Sequence, residues 1–269
     1  MDNRIAIEIK DGVADVRLVR ADKMNALDME MFEALVAATE RLAKEKGLRA
    51  VVLSGEGRAF CAGLDMGRFA AMKDSGGNGI PGGEKRDLTV RTHGKANFAQ
   101  QAVWGWRQLP VPVIAAVHGV AYGGGFQLAL GADMRYVAPD TKMSIMEIKW
   151  GLVPDMAGTP ILATLMRDDI LRELTYTGRV FSPEEGQAYG LVTRICADPR
   201  AAALETAREI AGKNPDAIRA AKRMLNNLSV DPGPALLAES VEQQKLIGSP
   251  NQLESVRANI EKRAPKFVD

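Results

Sequence analysis

Hydrophobic and polar positions change their period several times along this chain. Ile5-Ala6-Ile7-Glu8-Ile9 and Val13 to Val19 flank Asp11-Gly12, a pattern that predicts a β-hairpin. Met31, Phe32, Leu35, Val36, Thr39 and Leu42 then recur at helical spacing behind Asp28, a candidate N-cap, and Gly47 closes that helix. Ala50 to Leu53 is a short apolar run and reads as a strand. Residues 87–108 read as a helix with Trp104 and Trp106 near its end, followed by a strand over 112–117, a helix over 124–130 and a strand over 132–138. From Thr159 onward the pattern is mostly helical, with Pro183, Pro199, Pro215 and Pro232 marking helix starts and a last helix at about 250–263. Helices interposed between apolar strands predict an α/β fold. Lys73 to Arg86 holds five glycines and a proline among polar residues and reads as a mobile loop, either a solvated linker or a lid.

Length and composition narrow the function classes. A chain of 269 residues accommodates one large domain, or a domain with a docked C-terminal piece; we place the division at 1–200 and 201–269. Thirty-five basic against thirty-four acidic residues leave a net charge of +1, which gives no support for a nucleic acid or an anionic membrane as partner. Two cysteines, Cys61 and Cys196, make no disulfide framework, and two histidines make no metal-ligand cluster. A reducing, cytoplasmic setting is expected. Gln108 to Ala132 carries no formal charge and is long enough to span a bilayer. Pro110, Pro112, His118 and the glycines at 119, 123, 124 and 125 favour a buried strand, a turn and a buried helix instead.

Two glycine-rich turns carry the candidate chemistry. Gly123-Gly124-Gly125-Phe126-Gln127 joins the strand ending at Val117 to a helix. Without Cβ atoms, such a turn lets another backbone or a ligand approach, and the N–H groups of a helix start lack intrahelical partners. They suit an oxygen that gains negative charge during a reaction. A second turn, Ser54 to Asp65, follows the strand Ala50 to Leu53 and contains Phe60-Cys61-Ala62-Gly63-Leu64-Asp65. Cys61 reads as a filler of a small buried space, and His93 and His118 read as structural.

With Arg20 to Leu27, Pro112 to Val117, Gly178-Arg179, Ala188 to Val192 and Glu261 to Phe267, these segments resemble the enoyl-CoA hydratase/isomerase (crotonase) superfamily over roughly residues 15–267. The resemblance implies a spiral of ββα units, a C-terminal helical region that packs on a homo-trimer or hexamer, and a coenzyme A thioester as substrate with no separate cofactor. It implies that the thioester carbonyl sits between the backbone N–H groups of Ala62 and Gly124. It places the nucleotide phosphates near Arg20 and Lys23, the adenine and pantetheine along Ala62, Gly63, Leu64 and Asp65, and Lys266 and Phe267 at a neighbouring subunit's nucleotide.

The acid/base positions implied by the resemblance are Gln127, three residues after Gly124, and Glu147, within Ser144 to Pro154. On its own residues, Glu147 is either an exposed partner of Lys142 or Lys149, or a desolvated acid between Met146 and Ile148. Hydratases of the superfamily usually carry glutamate where this chain has Gln127. An amide orients water but does not shuttle a proton, which puts double-bond isomerisation slightly ahead of hydration. Asp155, eight residues after Glu147, resembles an aspartate of dienoyl-CoA isomerases and of some dehalogenases; its structural alternative is an N-cap for a helix starting near Met156. Three other readings remain: a dienoyl-CoA isomerase using Glu147 and Asp155, a dehalogenase or thioester hydrolase carried by Asp155, and a catalytically weak acyl-CoA-binding protein.

Overall fold

A computed structural model describes residues 4–65, 67, 87–213, 215–226 and 232–263. The glycine-rich stretch Lys73 to Arg86 lies outside the described residues, as do Lys266 and Phe267. The hairpin forms as its pattern predicts: β1 (Ile5–Lys10) and β2 (Val13–Leu18) pair antiparallel. Asp11 and Gly12 both take positive φ, 50° and 77°, the geometry a two-residue turn needs to match strand twist. β3 (Ala50–Gly55), β4 (Val113–Val117), β6 (Met134–Val137) and β8 (Arg194–Ile195) extend this sheet in parallel, in the order β1-β2-β3-β4-β6-β8.

Every residue of β4, and all of β3 but its last, is buried, because both faces of the sheet are covered. Val16, Val51, Leu53, Val113 and Ala115 face a core shared with α1 (Met29–Ala43) and α2 (Phe98–Gln108). Their neighbours Val13, Ala50, Val52, Ile114 and Ala116 pack on Ala203 and Ala207 of the helix Pro199–Ala211. That helix spans the division drawn at residue 200. Asp28 caps α1 by accepting the Met31 N–H at 2.9 Å.

A second, two-stranded parallel sheet of β5 (Val120–Tyr122) and β7 (Lys142–Ser144) supports the site. Single bridges extend it, Cys61 to Ala121 on one side and Met143 to Phe181 on the other. The uncharged run 108–132 resolves into β4, β5 and the helix α3 (Gly124–Leu130). No helix among the described residues is long and apolar enough to cross a membrane.

One expectation needs correction. The helix read over 87–108 begins only at Phe98, because Asn97 and Gln100 form a capping box there. The preceding turns are tied by Arg91 and Asn97 to Ser240, far along the chain. Leu236, in the C-terminal helical region, is fully buried in the main core. The remaining helices, in chain order, are α4 (Gly158–Leu162), α5 (Asp168–Thr177), α6 (Pro183–Ala188), α7 (Pro199–Ala211), α8 (Pro215–Asn226), α9 (Gly233–Leu246) and α10 (Pro250–Ile260).

Candidate active site

The two glycine turns meet as the sequence pattern suggests. Gly125 lies so close to the first turn that a Cβ on it would sit 2.3 Å from the Cys61 carbonyl oxygen. Gly123 has φ of 50° and ψ of −122°, a conformation open to glycine, and a Cβ there would press on Glu147 Oε1 at 3.3 Å. The first bond of α3 runs from Gln127 N–H to Gly123 O, so the N–H of Gly124 has no intrahelical acceptor.

The donor on the opposite segment is not Ala62. Its N–H is bonded to Met24 O at 2.9 Å. The next residues form a bridge with Leu27: Leu27 N–H reaches Gly63 O at 2.8 Å and Asp65 N–H reaches Leu27 O at 3.1 Å. In a parallel bridge of this phase the N–H of Leu64 points away from Leu27, and it has no protein acceptor among the described residues. Leu64 and Gly124 both line one cavity of about 1250 Å³. The assignment of Ala62 therefore shifts by two residues, to the next N–H of the same alternation. Buried Asn25 holds this segment. Its Nδ2 donates to Glu56 O and Ala59 O at 3.0 and 2.9 Å, and its Oδ1 accepts the Arg20 N–H at 2.9 Å.

Glu147 opens a 3-10 turn, Glu147–Trp150, closed by Gly151 in the left-handed region. Its carboxyl is buried rather than paired with Lys142 or Lys149. Oε1 accepts Gln127 Nε2 at 2.6 Å, whereas Oε2 is buried without a protein partner among the described residues. The Gln127 amide is fixed in turn, since its Oε1 accepts the N–H groups of Met156 and Gly158, both at 2.9 Å. These two bonds settle which end of the amide faces Glu147. Burial pushes the Glu147 pKa up to about 7, against the opposing pull of hydrogen bonds from its own backbone and Gln127; the nearby Asp155 carboxyl adds to the rise.

Asp155 lines the same cavity. It does not cap a helix: α4 begins at Gly158 with Ala157 as N-cap and no side-chain cap bond. Burial raises its pKa to about 7, and a hydrogen bond with the Gln243 side chain opposes the rise.

Of the residues assigned to a nucleotide handle, Lys23, Ala62, Gly63, Leu64 and Asp65 line the cavity. Arg20 does not. Its guanidinium lies 2.5 Å from Asp65 and 3.2 Å from Asp28 and also donates to Ala26 O, so it braces the turn under the cavity. Arg20 and Lys23 help hold the Asp65 carboxyl below the usual range against the opposing effect of burial, together with the N–H of Gly67. His93 is a wall residue, and its Nδ1 is 2.8 Å from Thr92 Oγ1. Cys61 is fully buried, with its thiol pushed up to about 12 by burial, which leaves it unreactive. No metal-binding cluster is present among the described residues. Three contributors went unread in the sequence: Asn25, Gln243, and the backbone N–H groups of Met156 and Gly158. Only Asn25 carries a local signal, a small polar residue tolerant of its φ of 54°.

The enoyl-CoA hydratase/isomerase family profile matches residues 8–269. A probable enoyl-CoA hydratase of Bacillus subtilis (strain 168) is 30% identical over 270 residues, covering 98% of this chain and 98% of that protein. A peroxisomal Delta(3,5)-Delta(2,4)-dienoyl-CoA isomerase of Arabidopsis thaliana is 29% identical, covering 93% of this chain and 90% of its own length. The crystal structure of an enoyl-CoA hydratase/isomerase from Mycobacterium paratuberculosis superposes with a TM-score of 0.83 at 24% identity over 96% of this chain and 98% of that one, which establishes the shared fold.

Proposed function

The chain belongs to the enoyl-CoA hydratase/isomerase family, and from that premise we propose that it binds an enoyl-CoA thioester, stabilises its enolate between the N–H groups of Leu64 and Gly124, and moves a proton with Glu147. Ionised Glu147 takes a proton from carbon through Oε2. The C–H electron pair delocalises onto the thioester oxygen, and the protonated carboxyl returns the proton to a carbon further along the chain. The double bond shifts, and no atom is gained or lost. Two backbone donors suit the developing oxyanion; losing one such donor typically costs about 2.7–4 kcal/mol of transition-state stabilisation.

One observation carries this reading: Glu147 Oε2 is buried beside the cavity without a partner among the described residues, while Oε1 is held by an amide that is itself held. A single available carboxylate oxygen suffices for moving a proton between two carbons. Hydration also needs a second group to activate water, and the Gln127 amide has no such acid/base capacity. Isomerisation is therefore favoured over hydration. The experiment is spectroscopic. Gain of conjugated absorbance from a 3-enoyl thioester supports isomerisation, whereas loss of 2-enoyl absorbance supports hydration and overturns that preference. Binding with neither change supports an acyl-CoA-binding protein.

A second reading is favoured by Asp155, which lines the cavity with Glu147 and caps nothing. In this reading the enzyme acts on 3,5-dienoyl thioesters, with Asp155 exchanging the proton at the far end of the conjugated chain. Lys23 serves the coenzyme A phosphates, and the protein works in the cytoplasm. It assembles as a trimer or hexamer through its C-terminal helices, a reading supported by the exposed Met224, Leu225 and Leu237.

A further inference from the structure

One side chain of the C-terminal helices, that of Gln243, interacts with the Asp155 carboxyl. Gln243, on α9, is buried and forms part of the cavity wall. Its Oε1 faces the Val153 N–H at 3.3 Å, which sets the amide over the turn leading to Asp155. With Oε1 so directed, Nε2 is the atom that meets a carboxylate. Gln127 is arranged in the same sense: its carbonyl is fixed by backbone N–H groups and its NH₂ is turned to an acid. The two glutamines come from different parts of the chain, one from the helix after the glycine turn and one from a helix over a hundred residues later.

We propose that Gln243 is the positioning residue of Asp155, holding one carboxyl oxygen so that the other faces the acyl chain. This rests on the second reading above, in which Asp155 exchanges a proton with a conjugated substrate. The C-terminal helices then complete the active site of their own subunit. A side chain that only docked α9 onto the turn would serve the fold and leave the proton chemistry unaffected. The charged group that faces Asp155 within the cavity is Glu147, whose own pKa responds to it. The cationic lysines of the wall are Lys23 and Lys149.

The test uses the full-length protein with 3,5-dienoyl and 3-enoyl thioesters as separate probes. Gln243→Met removes the amide at similar volume. It should lower kcat on the dienoyl thioester roughly 10- to 100-fold, the scale of a misplaced catalytic group, with KM and 3-enoyl turnover nearly unchanged. The donated hydrogen bond favours ionised Asp155, and Asp155 must be protonated to deliver a proton to the far end of the chain, so loss of that bond should also move the falling limb of the dienoyl pH–rate profile to higher pH. Gln243→Glu keeps an acceptor for Val153 N–H but sets a second carboxylate against Asp155, and should move that limb upward as well. Equal losses on both substrates, or no change in either profile, overturn the proposal. Asp155→Asn separates the two ideas. If it is silent on the dienoyl thioester, the second reading fails together with the role of Gln243. If it lowers dienoyl turnover while both Gln243 variants stay like wild type, only the role of Gln243 fails.

Discussion

Gln127 Nε2 donates to Glu147 Oε1 at 2.6 Å, and the same amide is locked by two backbone N–H groups through its oxygen. The carboxylate is thereby held by one oxygen, and the other has no protein partner among the described residues. Position 127 thus acts through Glu147, whether or not it touches substrate. Under the proposed mechanism, replacing Glu147 by Gln removes the proton carrier but neither the proposed oxyanion donors nor the proposed nucleotide handle. We expect turnover to fall about 100-fold or more, with thioester affinity nearly unchanged. Steady-state rates and titration with a non-reactive acyl-CoA check this. Activity within a few-fold of wild type would remove Glu147 from the mechanism.

The pH profile follows from the same pair. Glu147 titrates near 7 and has to be ionised to accept a proton from carbon, so kcat/KM should rise with pH and level off above that value. In Gln127→Leu the donor that favours the ionised form is gone, so the rising limb should move to higher pH. A limb that stays in place would show that the amide does not tune the base. Acid/base titration by Asp155 would be seen on dienoyl substrates as a separate limb.

Much of the fold was legible in the sequence because its signals are local. Asp11-Gly12 between alternating strands, Asp28 before the 31–42 stripe, and prolines at helix starts each act within a few residues. The misreadings arise where long-range pairing decides. Residues 87–97 read as part of the helix that follows, yet Asn97 and Arg91 are bound to Ser240 on α9, and the capping box stops the helix. Whether the N–H of Ala62 or of Leu64 is left without an acceptor depends on the phase of the bridge to Leu27, which no local pattern reveals. Gln127 was visible as a departure from the hydratase pattern. Its three hydrogen bonds were not, because two of its partners are backbone groups about thirty residues away.

Asn25 links the handle turn to the oxyanion segment, and its replacement by Ala should be costly. Glu56 O and Ala59 O lose their side-chain donor, and Ala is poorly suited to the φ of 54° found there. A loss of about 2–3 kcal/mol is expected from the unsatisfied buried groups, measured by denaturant unfolding. Residual folded protein should also show reduced kcat, because the N–H of Leu64 is no longer held in place. Unchanged stability would mean that water or a shifted backbone replaces Asn25.

Gln127→Glu tests the chemistry of the amide position. One oxygen of the new carboxylate would still accept from Met156 and Gly158, and the other would face Glu147 Oε1 at close to the present 2.6 Å. Two carboxylates so close share a proton, so the pair should retain it to higher pH than Glu147 alone. A second acid/base beside the cavity should then raise hydration of 2-enoyl thioesters, followed as loss of their absorbance across the pH range. If no pH brings a gain, water is held elsewhere.

Stability should respond to pH in the direction opposite to catalysis. Glu147 has a folded-state pKa near 7 against about 4.5 in the unfolded chain. A carboxyl whose pKa is raised on folding contributes stability that is fully present below the unfolded value. That contribution is lost as pH rises towards and through the folded value, because the native state must then ionise a buried group. At about 1.36 kcal/mol per pKa unit, the loss for Glu147 alone is about 3 kcal/mol by pH 8. Asp155, raised in the same direction, adds to it. Glu147→Gln cannot ionise, so its unfolding midpoint should exceed that of the wild type at pH 8 and approach it near pH 4. Thermal or urea unfolding at the two pH values decides the matter. A wild-type protein equally or more stable than the variant at pH 8 would show that Glu147 is ionised there without strain. In that case its buried, unpartnered Oε2 would have to be solvated by water from the cavity, and the upward shift of its pKa would not hold.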